Sequence, residues 1–108
     1  MASGVVHIPW YATLFRGDKF EAALEEIAPV ALRYGATEYA IYRSKDDQYR
    51  FLQLATFDDK QAFEAYWYSP DFNDWRARYS SWYQVPILYA WHDLVARGGL
   101  GAPAEVEA

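Results

Sequence analysis

Apolar and polar residues follow two different periods along the chain, and each change of period marks a predicted element. Four segments are rich in β-branched and aromatic residues and predict strands, at residues 5–15, 37–43, 49–57 and 84–93. Between the first two strands, apolar residues recur every three or four positions, as on one face of a helix. Asp18 is placed to cap this helix, Pro29 is expected to kink it, and Gly35 is expected to end it.

A second helical segment, broken in the middle, lies between the third and fourth predicted strands. Asp58 or Asp59 is expected to cap its first part. Ser69 and Pro70 start the second part, since serine is a good N-cap and proline suits the first helical position. Large rings recur at helical spacing on both parts: Phe63, Tyr66, Trp67, Phe72, Trp75, Tyr79 and Trp82. The order β-α-β-β-α-β predicts an α+β fold of the ferredoxin-like type, an antiparallel four-stranded sheet with helices on one face.

The predicted strands carry apolar residues on both of their faces. In residues 84–93, Val85 and Ile87 point one way, while Leu88 and Ala90 point the other. A sheet with helices on one face and water on the other should instead alternate apolar with polar residues. Burying one Trp or Tyr ring contributes roughly 4–6 kcal/mol gross, at 25 cal/mol per Å². We therefore expect a homodimer in which two sheets meet face to face, as in a dimeric α+β barrel.

The composition is that of a small folded domain and excludes several classes of partner. The 108 residues suit one domain, predicted over residues 1–95, with a C-terminal tail at residues 96–108 that has no core of its own. The formal net charge of −5 disfavours nucleic acid and anionic membrane surfaces as partners. RNA-recognition modules share this element order, but residues 50–57 lack the glycine and alternating aromatics of their third strand. Without a signal peptide, a membrane-spanning run or any cysteine, we expect a cytoplasmic protein.

From residue 5 to residue 94 the chain resembles the dimeric α+β barrel proteins, and among them the antibiotic-biosynthesis-monooxygenase-like (ABM) domains. The resemblance rests on the element order, on the two-faced strands and on one run of residues after the third strand. This run is similar to the family's aspartate-capped helix, aromatic pair and S-P-x-F restart: Phe57, Asp58, Asp59, Lys60, Phe63, Tyr66, Trp67, Ser69, Pro70 and Phe72. The resemblance implies a pocket between the sheet and the helices.

Members of that family include cofactor-independent oxygenases of quinols or polycyclic phenols, haem-degrading enzymes, and proteins with no established activity. The haem-degrading members use a helix tryptophan, a helix histidine and an asparagine of the first strand. The matching positions here hold Tyr66 and a residue near Arg76, and the first predicted strand has no asparagine. The resemblance therefore favours oxygenase chemistry without a cofactor over haem degradation.

The aromatic helices supply the expected walls of a pocket for a flat ligand. The predicted substrate-binding residues are Tyr11, Tyr66, Trp67, Phe72, Asn73, Trp75 and Tyr79. We expect the mouth of the pocket at the break between Ser69 and Pro70. The alternative for each ring is a place in the hydrophobic core, and for Asn73 it is the solvated face of its helix.

Two histidines are the candidate catalytic residues. His7 lies near the start of the first strand and His92 near the end of the fourth, and these strands are antiparallel neighbours in a ferredoxin-like sheet. An imidazole titrates near neutral pH and can remove a phenol proton, after which a dihydroxy-aromatic anion can react with oxygen without metal or flavin. The alternative is two surface or rim histidines with satisfied hydrogen bonds. The spacing of these histidines and Asp93 does not suit a metal ion, so no metal site is predicted.

The family resemblance, together with the aromatic helices, implies a cofactor-independent monooxygenase-like enzyme acting on a small aromatic compound that resembles a quinol or a polyphenol. The alternative is a homodimer without catalytic activity, which binds a small ligand or has a structural role.

Overall fold

The computed structural model describes residues 3–105, with side chains for residues 3–101. Its elements are β1 (Gly4–Tyr11), α1 (Gly17–Ile27), a 3-10 helix (Ala28–Tyr34), β2 (Ala36–Arg43), β3 (Arg50–Phe57), α2 (Lys60–Trp67), α3 (Pro70–Arg78), β4 (Ala90–Asp93), β5 (Arg97–Gly99) and β6 (Ala102–Glu105). Strands β1 to β4 form one antiparallel sheet in the order β2-β3-β1-β4. The predicted α+β fold with a ferredoxin-like strand order is confirmed.

The N-terminal cap of α1 differs from the prediction. The cap residue is Arg16, whose side chain makes no capping bond, and Asp18 instead accepts a hydrogen bond from Arg43 Nη1 at 2.9 Å. Asp18 is already inside the first turn, and β2 places a guanidinium within its reach. Pro29 acts as predicted on the C-terminal side, because α1 ends at Ile27 and the chain continues as a 3-10 helix.

The caps of α2 and α3 are the predicted ones. Asp59 Oδ1 accepts a bond from the backbone N–H of Ala62 at 2.8 Å. Ser69 Oγ accepts one from the N–H of Phe72 at 3.1 Å, with Pro70 at the first helical position. These two caps separate the broken helix into α2 and α3.

Two strands are shorter than predicted. Strand β1 ends at Tyr11 rather than at residue 15, and the turn that follows holds Phe15 at a φ of 66°. Strand β4 covers only Ala90–Asp93 of the predicted residues 84–93. Pro86 has no N–H to donate to a ladder, so the segment before β4 stays outside the sheet.

The hydrophobic core lies between the sheet and the helices. Its largest fully buried side chains are Trp10, Tyr66, Phe20, Phe51, Phe57, Phe63, Phe72, Ile8, Leu24, Gln53 and Val6. Gln53 is the polar member of this set, and it is hydrogen-bonded on both sides. Its Oε1 accepts from Trp10 Nε1 at 3.0 Å, and its Nε2 donates to the Tyr66 hydroxyl at 3.1 Å. The amide therefore links β1, β3 and α2 through the core.

The face of the sheet opposite the helices, called the outer face below, is largely apolar. It carries the alternate residues of the strands: Val5, His7, Pro9, Tyr11, Ala40, Tyr42, Leu52, Leu54, Thr56, Ala90 and His92, with the charged Glu38 and Arg50 at its margins. Within the described part of the chain no helix covers it. The prediction that both faces of the strands are apolar is confirmed, and this single chain leaves the outer face open.

The predicted C-terminal tail is partly structured. Strands β5 and β6 pair as an antiparallel hairpin, and Arg97 Nη2 lies 2.8 Å from Glu38 Oε1 at the start of β2. Residues 106–108 lie outside the described residues. Among residues 3–105, no helix combines the length and apolarity that crossing a bilayer requires.

Candidate active site

The two histidines meet on the outer face of the sheet. In the β1–β4 ladder His92 is opposite Val5, and His7 is opposite Ala90, so the imidazoles are diagonal neighbours on one face. Their ring centroids lie 4.0 Å apart with an interplanar angle of 35°. The prediction that these histidines are close in space is confirmed.

The surroundings of His7 favour its neutral form. Its side chain is half-buried and has Leu54 of β3 as its cross-strand neighbour. Burial lowers the pKa of His7 below the usual 6.5, and the charge of His92 lowers it further. A neutral imidazole with a free nitrogen is the form that accepts a proton, so His7 is suited to act as a base at neutral pH.

A groove of about 290 Å³ runs along the outer face beside the histidine pair. It is lined by Val5, Glu38, Tyr39, Ala40, Tyr42, Leu54, Ala55, Thr56 and Arg97. Two of these residues, Val5 and Leu54, are the cross-strand partners of His92 and His7. The groove therefore lies next to the imidazoles, although neither of them lines it, and its wall combines aliphatic and aromatic surface with the polar side chains of Glu38, Thr56 and Arg97.

An ion pair stands at the far side of this groove. Glu38 Oε1 accepts a hydrogen bond from Arg97 at 2.8 Å, and the Thr56 hydroxyl lies 3.5 Å from the same oxygen. A neutral aromatic ligand with hydroxyl groups would find both a donor and an acceptor there.

Tyr11 lies on the same face as the histidines but further along β1. It is four residues from His7, so the two are separated by about 13 Å at 3.3 Å per residue. Its hydroxyl donates to Asp47 Oδ2 at 2.7 Å, and this bond, more than burial, raises the pKa of Tyr11. The same bond lowers the pKa of Asp47. Tyr11 lines a second groove, of about 480 Å³, with Pro9, Trp10, Arg50, Gln84, Val85, Pro86 and Leu88.

The rings that were expected to wall a pocket pack against one another on the helix side of the sheet. The centroid of Phe72 lies 4.7 Å from that of Tyr66 and 5.0 Å from that of Trp67. A flat ring inserted between two others needs centroids about 7 Å apart, since stacked atoms approach to about 3.5 Å. Neither of these two gaps admits a further ring. Trp75 and Tyr79 line two separate grooves at the surface of the helix side, of about 240 and 340 Å³.

Hydrogen bonds hold two of these rings in place. The Tyr66 hydroxyl donates to the carbonyl of Ile27 at 2.7 Å, and Trp75 Nε1 donates to the carbonyl of Ala23 at 2.7 Å. Burial raises the pKa of Tyr66, so its phenol stays protonated at neutral pH. At the expected mouth Ser69 is buried, and its hydroxyl donates to the carbonyl of Tyr66 at 2.7 Å.

Asn73 and Tyr79 lie at the surface of α3 and just after it. Asn73 is exposed, and its Oδ1 accepts a hydrogen bond from Arg76 Nη2 at 2.6 Å. Tyr79 donates its hydroxyl to Glu26 at 3.0 Å and packs on Trp75 with centroids 5.5 Å apart. Neither side chain reaches the histidine pair, which lies on the other side of the sheet.

The sheet thus separates the predicted site into two halves. His7, His92 and Tyr11 occupy the outer face, whereas the rings of α2 and α3 occupy the opposite face. Alternation along a strand decides this, because His7 stands one residue from the inward-facing Val6 and Ile8. The structure places the histidines on the same face of the sheet as the groove, opposite the aromatic helices.

Sequence reasoning missed three polar residues: one that is hydrogen-bonded in the core and two that form an ion pair at the groove. Gln53 occupies an inward strand position among apolar neighbours, which was a usable signal. Glu38 and Arg97 come together across 59 positions of the chain, and no local pattern could have paired them.

The family described as antibiotic biosynthesis monooxygenase matches residues 15–78 of the sequence. Among solved structures, a candidate antibiotic biosynthesis monooxygenase from Nitrosomonas europaea superposes with a TM-score of 0.75 at 19% identity, over 93% of this chain and 92% of that one. SnoaB, a cofactor-independent oxygenase from Streptomyces nogalater, superposes with a TM-score of 0.74 at 16% identity, over 94% of this chain and 100% of that one. These structures share the fold of this chain. No functionally curated protein matches the sequence.

Proposed function

The chain belongs to the antibiotic biosynthesis monooxygenase family, and on this basis we propose that it is a cofactor-independent oxygenase of a small quinol- or polyphenol-like compound. SnoaB, which is described as a cofactor-independent oxygenase, has the same fold. The observation that carries the proposal is the His7–His92 pair, with its ring centroids 4.0 Å apart, next to a groove of about 290 Å³. The proposal places the reaction on the outer face of the sheet.

In the proposed reaction, neutral His7 accepts a proton from a hydroxyl group of the substrate. The resulting dihydroxy-aromatic anion passes electrons to O₂ and forms a carbon–oxygen bond, giving a hydroperoxide. Loss of water then leaves a hydroxyquinone. The substrate gives up four electrons, one oxygen atom is retained in the product and the other leaves as water, so no external reductant is needed. His92 lies next to His7, so it could share the proton that His7 has accepted or pass it to the hydroperoxide oxygen that leaves as water.

A second copy of the chain would complete the site. The outer face is apolar and uncovered in one chain, which supports a homodimer with the two sheets facing each other. Such a dimer would enclose the histidine pair and the groove of about 290 Å³ of each chain and would exclude water from them. An enclosed, dry site strengthens the electrostatic interactions of the substrate anion.

The groove also supports the alternative, a homodimer that binds a small ligand without catalysis. Phe72 packs too closely on Tyr66 and Trp67 for a flat ligand to enter between them, so this alternative also uses the groove of the outer face. Oxygen consumption distinguishes the two functions.

The test is oxygen uptake with a panel of quinols, measured for the wild type, for His7→Gln and for a control. Glu25→Gln is the control, since Glu25 is an exposed residue of α1 on the far side of the molecule. We expect uptake by the wild type and by the control, and its loss in His7→Gln. Binding of quinols, followed by tryptophan fluorescence, without any oxygen uptake would support the non-catalytic alternative. If the wild type shows no oxygen uptake and binds no quinol, both functions are overturned.

A further inference from the structure

The second groove, of about 480 Å³, lies where the sheet is incomplete. Strand β4 pairs with β1 only over residues 4–7, whereas β1 continues to Tyr11. Pro9 has no N–H with which to extend this ladder. The chain before β4 is joined to the end of β1 by a bond from the backbone N–H of Gln84 to the carbonyl of Tyr11 at 2.9 Å. The groove is the space that this arrangement leaves beside the end of β1.

Most of the groove wall is aliphatic and open to water. Its aliphatic side chains are those of Pro9, Val85, Pro86 and Leu88, and Val85 and Leu88 are 75% and 71% exposed. Covering such side chains with an apolar ligand is favourable in proportion to the area removed from water. The volume falls within the range of about 300–1,000 Å³ that is typical of small-molecule sites. An uneven wall of branched and cyclic aliphatic groups suits a flexible alkyl chain.

The groove also has a cation in its wall. Arg50 is the first residue of β3, lies opposite Tyr11 in the β1–β3 ladder and is exposed. Within residues 3–101 its side chain makes no hydrogen bond and no ion pair, although its charge acts on Asp47. The Asp47 carboxylate is already bonded, because it accepts from the Tyr11 hydroxyl at 2.7 Å and from the N–H of Tyr49 at 3.0 Å. The guanidinium of Arg50 is therefore available to the carboxylate of a ligand.

We propose that the second groove binds a free medium-chain fatty acid, with its carboxylate on Arg50 and its alkyl chain along Val85 and Leu88. Arg50 lies on the β3 side of β1 and residues 84–88 lie on the other side, so the ligand crosses about two strand spacings, or about 10 Å. Three bonds of an extended chain cover about 3.5 Å. The eight carbons of octanoate therefore span about 8 Å, which fits this crossing.

This inference is separate from the proposed oxygenase reaction. The histidine pair lines neither this groove nor the one of about 290 Å³, and the fatty acid undergoes no chemical step. All the residues of the site come from one chain, so its failure or success does not follow from the result of an oxygen-uptake assay.

The test is isothermal titration of the full-length wild type with octanoate at constant ionic strength. The comparison ligands are 1-octanol, which keeps the chain without the charge, and acetate, which keeps the charge without the chain. We expect saturable binding of octanoate and binding at least about fivefold weaker for each of the other two. From butanoate to octanoate the affinity should rise by up to about fourfold for each CH₂ that the groove buries.

Two pairs of variants locate the site. Arg50→Gln should weaken octanoate binding about five- to tenfold, because it removes a charge-assisted bond that solvent partly screens. Lys45→Gln is its matched control, since Lys45 is an exposed cation of the neighbouring loop and does not line the groove. Leu88→Gln should also weaken binding, whereas Leu14→Gln changes an exposed leucine outside the groove and should bind like the wild type.

The proposal is overturned if octanoate does not bind saturably, if 1-octanol or acetate binds as tightly, or if Lys45→Gln weakens binding as much as Arg50→Gln. Sedimentation of Leu88→Gln examines another occupant, a second copy of the chain. If this variant loses a dimer that the wild type forms, the groove belongs to the dimer interface and the proposal is also overturned. If Arg50→Gln fails to fold, the comparison of octanoate with 1-octanol and acetate on the wild type decides.

Discussion

His92 faces Val5, and not His7, across the β1–β4 ladder, and the two imidazoles meet on the diagonal with 4.0 Å between their centroids. This diagonal places two titratable rings side by side on an apolar surface. When both carry a proton, they repel each other. The pair therefore makes the molecule sensitive to pH in the range where imidazoles titrate.

The stability of the protein should fall as the pH is lowered through the titration of His7. Burial and the neighbouring His92 lower the pKa of His7 in the folded chain below its usual 6.5. The unfolded chain then binds the proton more readily than the folded chain does. This histidine consequently costs no stability above about pH 6.5. Its cost grows as the pH falls from there to the lower pKa of the folded chain, and it is constant below that pKa.

Urea denaturation of the wild type and of His7→Gln at a series of pH values from 8 to 5 measures this effect. We expect the midpoint of the wild type to decrease on acidification and that of His7→Gln to decrease less. Equal pH dependence in the two proteins would show that carboxylates or other groups, and not His7, are responsible.

Gln53→Leu should destabilise the fold by about 1–3 kcal/mol, the usual cost of a buried donor left without an acceptor. The substitution removes the acceptor of Trp10 Nε1, whose bond to Gln53 is 3.0 Å long, and the donor to Tyr66. Gln48→Leu is the control, because Gln48 is exposed in the loop between β2 and β3. Thermal unfolding compares the three proteins, and an equally stable Gln53→Leu would mean that this amide is not needed by the core.

Leu54→Lys should prevent the dimer that we propose. The substitution puts a charge in the middle of the outer face, beside Val5 and His7, where the second sheet would lie. Leu32→Lys is the matched control, since Leu32 is exposed on the 3-10 helix on the other side of the molecule. Sedimentation should give twice the chain mass of 12.5 kDa for the wild type and the control, and the chain mass itself for Leu54→Lys. A wild type that sediments as a monomer at micromolar concentration contradicts the dimer.

The fold could be predicted because its signals are local and repeated. The period of two in the strands, the period near 3.6 in the helices and the caps at Asp59 and Ser69 all lie within a few residues of the elements that they define. One error arose where a contact distant in the chain overrides the local pattern, and the two strands came out too long because apolar residues continue beyond the paired segments. Asp18 is a residue type that often caps helices, but its carboxylate accepts a hydrogen bond from Arg43 instead.

The candidate site was only half predictable. The pairing of His7 with His92 follows from strand order and position. The side of the sheet on which each predicted residue lies follows from strand alternation, and applying that alternation to His7 would have separated it from the helix rings. Whether Tyr66, Trp67 and Phe72 enclose a space depends on how the side chains pack, and ring composition does not determine packing.

The steady-state rate of oxygen uptake by His7→Gln, on the best quinol found with the wild type, tests the central claim most directly. General base catalysis contributes about 10²–10⁴-fold to a rate, so the account predicts that kcat falls by at least about a hundredfold while KM stays near its wild-type value. Tyr66→Phe removes a hydroxyl on the helix side of the sheet and leaves the outer face unchanged, so it should retain activity in this assay. Wild-type activity in His7→Gln together with its loss in Tyr66→Phe would contradict the account and place the reaction on the helix side of the sheet.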